Sequence, residues 1–393
     1  MNHQKMAFVS GPRQSGKTTA SKQISDFYDV SRYFNWDEKK FRLSWKQNPI
    51  QALGEYNLNQ KNLVILDEVH KNKLWKNDLK GLYDLKKDDY SLIVTGSARL
   101  DAFRKSGDSL VGRYFHFRLY PFSFNELKNK PKNNLFDVKK MIQNIESHQS
   151  QIQDKDLLQT LFEFGPFPEP YLKQSKQFSR MWRGQYAERL IKEDLRDLSG
   201  ALELNQVETL AELLPTKVMS PLSVQSLQED LGPAHSTITR WLKYLNLVYF
   251  FFEIRPYSKS IIRSLKKERK IYFFDWCLLE NDAAKFENLL AFHLWKTCHY
   301  LTDTGEGTYE LFYLRNKQKK EIDFLVVKDK KPQFTVEAKL NENQLDKTFE
   351  VFQNQIKVPH FQVIQKSGIL KRYREYQHET HVISADQFLN HCI

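Results

Sequence analysis

Short apolar runs separated by amphipathic stretches mark roughly the first 125 residues. Met6 to Val9, Leu63 to Leu66 and Leu92 to Thr95 are apolar blocks of strand length, with helical periodicity between them. Unbroken apolar strands alternating with helices predict a parallel sheet covered on both faces. From Glu126 to about Gln159 the chain turns polar, with KNKPKNN at 128–134, as in an exposed connection. Helical period then holds from about 160 to 250, and mixed strand and helix patterning returns over 269–393. The expected division is 1–125, 126–265 and 266–393, within the α/β class.

Composition narrows the possibilities. With 40% hydrophobic and 13% aromatic residues in 393, the chain can bury a large core, which excludes a disordered or collagen-like protein. The three cysteines, Cys277, Cys298 and Cys392, are odd in number and form no CxxC pair, which argues against a disulfide framework and a zinc ribbon. The longest predominantly apolar run, Leu245 to Phe252, is far short of the ~20 residues of a membrane span. No membrane association is expected. The N-terminus reaches its first motif with no room for a signal peptide, so the expected location is cytoplasmic. A net charge of +12 points weakly to a polyanionic partner, although solubility alone explains it equally well.

The sharpest chemical signal is Gly11-Pro-Arg-Gln14-Ser15-Gly16-Lys17-Thr18, which fits G-x-x-x-x-G-K-[ST]. Its glycines let backbone N–H groups curl around phosphates, and the following helix N-terminus adds positive potential. Gly11, Gln14, Ser15, Gly16, Lys17, Thr18 and Thr19 are therefore the candidate nucleotide-binding residues. Lys17 would reach the β- and γ-phosphates, and Thr18 would hold Mg²⁺. Leu63 to Leu66 ends in Asp67-Glu68, the form of a Walker B strand: Asp67 would bind Mg²⁺ through water and Glu68 would polarise the attacking water. The third apolar run leads into Gly96-Ser97-Ala98-Arg99, where Thr95, or better Ser97, would sense the γ-phosphate. ATP and Mg²⁺ are the expected cofactors. Asp67 to His70 also resembles the DExH box of superfamily 2 helicases, but no arginine-rich motif of a second RecA-like domain follows.

The segments GPRQSGKTT, LVILDEVHK..LW, VTGSARL and GDSLVGRYFHFRLYPFSFNEL, continued by Phe164-Gly-Pro-Phe-Pro-Glu169, resemble the bacterial and archaeal AAA+-type ATPases that carry a C-terminal PD-(D/E)XK-nuclease-like domain. The resemblance runs along essentially the whole chain. It implies a P-loop AAA+-type core over 1–125, a helical lid and winged helix over 126–265, and an α/β restriction-endonuclease-like domain over 266–393. Arg113 matches the family's G-R position. It would either stabilise the transferring phosphoryl group across a subunit boundary of a homo-oligomer or cap its own helix or turn.

In the middle, Pro221 to Leu231 and His235 to Leu247 read as two helices joined at Gly232-Pro233-Ala234, with Leu227, Leu231, Ile238, Leu242 and Leu245 on packed faces. Val248 to Ile254 and Ile271 to Phe274 would complete a winged helix-turn-helix. Its second helix would present Ser236, Thr237, Thr239, Arg240 and Lys243. Between the strands, Arg255, Lys259, Arg263, Lys266, Lys267, Arg269 and Lys270 oppose Glu268 alone, a candidate phosphate-binding stripe or a solvated loop.

Near the C-terminus, Glu321 to Val327 and Phe334 to Leu340 read as a hairpin centred on Lys330, so that position i pairs with 660 − i. Asp323 then opposes Glu337, and Lys339 shares their face. Paired carboxylates with a lysine suit a hard cation and a phosphodiester. The resemblance gives these residues the PD-(D/E)XK roles: Asp323 and Glu337 as metal ligands, Lys339 as the catalytic lysine, and Glu287 as the upstream helix's glutamate. Arg315, Lys317, Lys319 and Lys320 beside them would suit a DNA backbone or, equally, stand as solvated loop charges. The expected activity is Mg²⁺-dependent ATP hydrolysis coupled to binding, remodelling or cleavage of DNA, branched DNA included, in repair, recombination or defence. The alternative is an ATP-controlled switch acting on protein partners, with the nuclease-like part an inactive scaffold.

Overall fold

The computed structural model describes residues 5–96, 110–128, 135–146, 154–195, 204–258, 268–341, 344–353, 355–373, 376 and 378–393. Ser97 and Arg99, and the loop lysines and arginine at 259, 263, 266 and 267, lie outside these residues. The chain divides into two compact units, Met1–Pro121 with Leu247–Tyr249 and Phe122–Asn246 with Phe250–Ile393. The expected boundary at 265/266 thus falls inside the second unit.

The first unit is built on five parallel strands: β1 (Met6–Ser10), β2 (Val30–Asn35), β3 (Asn62–Asp67), β4 (Ser91–Thr95) and β5 (Tyr114–Arg118), in the order β2-β3-β4-β1-β5. The three apolar runs of the sequence are the interior strands, and Leu63, Val64, Ile65 and Leu66 of β3 are fully buried. The edge strands β2 and β5 are only partly buried, so their sequences carry no apolar signature. Helix α1 (Lys17–Ile24) follows β1, and α2 (Trp75–Lys86) follows β3. Phe8, Trp45, Leu66, Trp75, Leu79 and Val94 belong to the main core of this unit. Because β4 lies between β1 and β3, its carboxyl end stands between the P-loop and the acidic pair. That crevice is where open parallel sheets place ligands.

In the second unit, α3 (Val224–Leu231) is capped by the Ser223 side chain, which accepts from the Ser226 N–H, and is followed by Gly232 at φ 92. Helix α4 (His235–Leu247) buries Ile238, Leu242 and Leu245 and exposes Ser236, Thr239, Arg240 and Lys243. The helix pair is the one expected from the sequence. Its hairpin differs from a free wing: β6 (Phe251–Pro256) and β7 (Lys270–Phe273) pair antiparallel, but β6 also pairs in parallel with β8 (Tyr309–Arg315). The reason is burial. Phe251, Phe252, Ile254, Ile271, Tyr272 and Phe273 are all enclosed, and strands apolar on both faces need cover on both.

The remaining strands are β9 (Glu321–Lys328), β10 (Lys331–Lys339), β11 (His360–Ile364), β12 (Leu370–Tyr373) and β13 (Thr380–Ser384), and the sheet runs β12-β13-β11-β10-β9-β8-β6-β7. The 22-residue helix α5 (Asp282–Asp303), capped by Asn281, buries Phe286, Leu289, Leu290, Phe292 and Leu294. The β9–β10 turn uses Asp329 and Lys330 at φ 48 and 65, as in two-residue hairpins. Such a turn pairs Lys331 with Lys328 and Pro332 with Val327. Gln333 then bulges, and from Phe334/Val326 onward the pairs follow 660 − i as expected. Among the described residues, no helix is long and apolar enough to cross a membrane.

Candidate functional site

The P-loop leaves β1 with Gly11 at φ 151 and enters α1 through Gly16 at φ 96. Glycine is required at 11 on two counts, because a Cβ there would also stand 2.0 Å from the Leu119 carbonyl oxygen. Lys17 is buried and its Nζ donates to the carbonyls of Gly11 at 3.0 Å and Pro12 at 2.6 Å, so the ammonium sits over the loop. Ser15 Oγ is buried, with no hydrogen-bond partner among the described residues. Gln14 and Thr19 are exposed, one in the loop and one in the first turn of α1.

Three hydroxyls converge on Asp67 at the end of β3. Thr18 Oγ1 donates to Oδ2 at 2.9 Å, Tyr33 from the end of β2 donates to the same oxygen at 2.6 Å, and Thr95 donates to Oδ1. Thr18 is expected here from the sequence, and Thr95 only as the alternative to Ser97. The sequence reading missed Tyr33, whose strand has no apolar signal. The Tyr33 hydroxyl is held well above its ordinary pKa by burial and by Asp67, so it stays a donor.

Glu68 follows Asp67 in the left-handed region at φ 59, and its N–H donates to the Thr95 carbonyl at 3.0 Å. Its carboxylate lies 3.6 Å from both His70 Nε2 and Lys71 Nζ, and Lys71 is bound at 2.7 Å to Asp37. Burial pushes the Glu68 carboxyl up, against the pull of Lys71. A base with a raised pKa beside a phosphate cradle has the character a water-polarising residue needs.

Arg113 is elsewhere in the unit. It immediately precedes β5 and forms a two-pronged pair with Asp84 of α2, at 2.8 and 3.1 Å. Its carbonyl accepts from Met6 N–H at the amino end of β1, the end opposite the P-loop. Within its own unit Arg113 therefore does not reach the phosphate cradle.

The second unit assembles the C-terminal carboxylates. Asp323 and Glu337 face each other one step beyond the Val336/Phe324 pair: Asp323 N–H donates to Glu337 at 3.4 Å, and Asp323 accepts from Ala338 N–H at 2.9 Å. Lys339 Nζ is 3.5 Å from Glu337 and 2.9 Å from Asp346, a residue the sequence reading did not single out. Glu287 on α5 is present, as expected. The unexpected member is Lys270. Instead of lying on a basic wing, it is 1% exposed, with Nζ 2.5 Å from Glu321, 3.2 Å from Glu287 and 3.7 Å from Asp323. Tyr272 donates to Glu287 at 2.7 Å. Burial, then the Asp323 charge, push Glu287 up to about 7, with Lys270 and Tyr272 opposing. Burial works to lower Lys270, but Tyr272 and the surrounding carboxylates outweigh it and hold it well above its ordinary value as an ammonium. Arg255 and Arg269 of the expected stripe are also ion-paired, with Glu310 and Glu253. Among the described residues, no group of three or more histidines, cysteines or carboxylates forms a metal-holding cluster.

Comparison with known proteins agrees with the first unit's geometry. Residues 3–128 match a family model described as an AAA domain. Residues 155–287 and 283–388 match two domains of unknown function, DUF8612 and DUF4143. Two uncharacterized proteins of Methanocaldococcus jannaschii are similar to the chain. One is 25% identical over 90% of this chain and 79% of its own length, the other 27% over 68% and 60%. An uncharacterized protein of Haemophilus influenzae is 21% identical over 81% of this chain and 79% of its own. Among solved structures, Drosophila ORC bound to DNA overlaps 68% of this chain and 86% of its own, at 15% identity and a TM-score of 0.27. C. elegans PCH-2 overlaps 63% and 61%, at 13% and 0.22. The match over residues 3–128 and the P-loop geometry agree on an AAA-type domain in the first unit.

Proposed function

We propose that this protein hydrolyses ATP to ADP and phosphate at the first unit and uses the cycle to engage DNA through the second. The observation that carries the first half is the convergence of Lys17, Thr18, Asp67, Glu68 and Thr95 at the carboxyl ends of three adjacent strands. The P-loop amides and Lys17 bind the phosphates. Glu68 orients water at the γ-phosphate. Thr18 and Asp67, already 2.9 Å apart, are the residues that would hold Mg²⁺, which would neutralise charge on the phosphate oxygens. The buried Ser15 hydroxyl in the cradle, without a partner among the described residues, supports the same ligand. Ser97, outside the described residues, is the γ-phosphate sensor in this reading. Arg113, facing away from its own P-loop, suits a neighbouring subunit's nucleotide in a homo-oligomer.

The DNA half rests on the α3–α4 pair, whose exposed Ser236, Thr239, Arg240 and Lys243 suit phosphate contacts, and on the endonuclease-like pairing of Asp323, Glu337 and Lys339. Structure-selective binding fits this unit better than cutting, since an ammonium lies among its carboxylates. The second reading, a nucleotide-controlled switch on protein partners, is favoured by the ion pairing of Arg255 and Arg269, which removes two charges from the expected DNA stripe.

The test is ATP turnover by wild type and Lys17→Ala, alone and with single-stranded, duplex, forked and four-way DNA, over a salt series. Turnover lost in the variant and raised by DNA, with binding falling steeply as salt increases, supports the proposal. Turnover surviving in Lys17→Ala refutes the first half. No DNA binding at low salt refutes the second and leaves the protein-switch reading.

A further inference from the structure

We propose that Lys270 is the resident cation of the C-terminal carboxylate cluster, and that this endonuclease-like site is therefore closed to divalent metal. This inference concerns the second unit alone and does not depend on ATP hydrolysis. The resemblance to PD-(D/E)XK nucleases implies a metal held by Glu287, Asp323 and Glu337. The residues present do not fit it.

Three observations carry the disagreement. The Lys270 ammonium lies within 2.5–3.7 Å of carboxylate oxygens from Glu287, Glu321 and Asp323, which is the space a metal bridging α5 and β9 would need. Its side chain is 1% exposed, with Nζ 5.7 Å from the Tyr313 ring centre, so the ammonium fills this space and is itself shielded from water. The other carboxylate, Glu337, is already engaged, by the Asp323 N–H at 3.4 Å and by Lys339 at 3.5 Å. A divalent ion entering here would meet a fixed positive charge and would find its ligands already paired.

The arrangement has a structural use. Lys270 belongs to β7, Glu287 to α5, and Glu321 and Asp323 to β9, so one side chain ties three elements together. A buried charge in such a place persists because Glu287 and Asp323 would otherwise lose this cation, while Glu321 also pairs with Arg315 at 3.1 Å.

The experiment is Mn²⁺ binding, counted by electron paramagnetic resonance on the nucleotide-free full chain, for wild type, Asp323→Asn and Lys270→Ala. Melting temperature with and without Mn²⁺ is read in parallel. The expected result is equal Mn²⁺ in wild type and Asp323→Asn. Lys270→Ala gains one further equivalent and is selectively stabilised by the metal. A wild-type Mn²⁺ equivalent that disappears in Asp323→Asn overturns the proposal. So does a folded Lys270→Ala that binds no more than wild type. Should Lys270→Ala fail to fold, the wild-type and Asp323→Asn pair decides alone. Metal bound at Asp67 is common to all three proteins and cancels, so failure of the ATPase reading would not alter the comparison.

Discussion

Acid should unlock the second unit through His293, and the size of the effect follows from its surroundings. His293 lies on α5, fully enclosed. Its Nε2 accepts the Phe124 N–H at 3.0 Å, so the neutral ring must carry its proton on Nδ1, which is 2.8 Å from the Leu289 carbonyl. Protonating Nε2 would set two donors against each other. Burial, aided by nearby Lys296, pushes the ring from an ordinary 6.5 down to about 4, against the pull of Glu126. A histidine whose folded pKa is depressed contributes stability that is intact above 6.5 and lost as pH falls toward 4, because over that range the unfolded chain binds the extra proton. Between pH 7 and pH 5 the linkage comes to about 2 kcal/mol, rising to about 3 kcal/mol by pH 4. His293→Gln keeps an acceptor within reach of Phe124 and removes the titration. Urea unfolding followed by tryptophan fluorescence at pH 7, 6 and 5 would compare the two proteins. The wild-type stability should fall relative to the variant by about 2 kcal/mol across that series. A constant gap between them at all three values would refute the reasoning, since other titrating groups, including His360 and His391, are common to both.

Three further outcomes test the first unit. Glu68→Gln should keep nucleotide binding, read with a fluorescent ATP analogue, while phosphate release falls by about 10²–10⁴-fold; unchanged turnover would remove Glu68 from the chemistry. Arg113→Ala should bind ATP and lose about 10³-fold in turnover, whereas Asp84→Ala, which removes only the partner, should retain it. Equal turnover in Arg113→Ala and wild type would leave Arg113 a purely structural ion pair. Gly11→Ala should abolish nucleotide binding and melt well below Gly16→Ala. The first drives a Cβ into Leu119, while the second meets no atom of the described residues within 4 Å and bears backbone strain of about 1–3 kcal/mol.

Much of the nucleotide site was legible because its chemistry is local in sequence. The P-loop is one continuous motif, and Asp67 and Thr95 each end an apolar strand that announces itself. Tyr33 was not legible, since edge strand β2 alternates too little to be seen and its hydroxyl meets Asp67 only through the pairing of β2 with β3. Lys270 was misplaced for a related reason. In sequence it ends a run of positive charge, and a run of charge reads as surface. What buries it is a set of carboxylates 17, 51 and 53 positions away on two other elements. The opposition of Asp323 and Glu337 was legible in outcome. The route to it, a two-residue turn corrected by a bulge, was not, because Pro332, which favours a bulge, equally suits the end of a polar turn.

That bulge has a hereditary consequence. In the register set by the turn alone, Asp323 would stand across from Val336 and Glu337 across from Ile322, with the two acids on opposite faces of the sheet. The meeting of the acids is therefore encoded in a backbone irregularity several residues from either of them, at a position with no chemistry of its own. Deleting Gln333 would dismantle the cluster while leaving every one of its side chains in the gene. Lineages of this protein can thus lose or restore the constellation by a single codon's length, without any change to the residues by which such a site is ordinarily recognised.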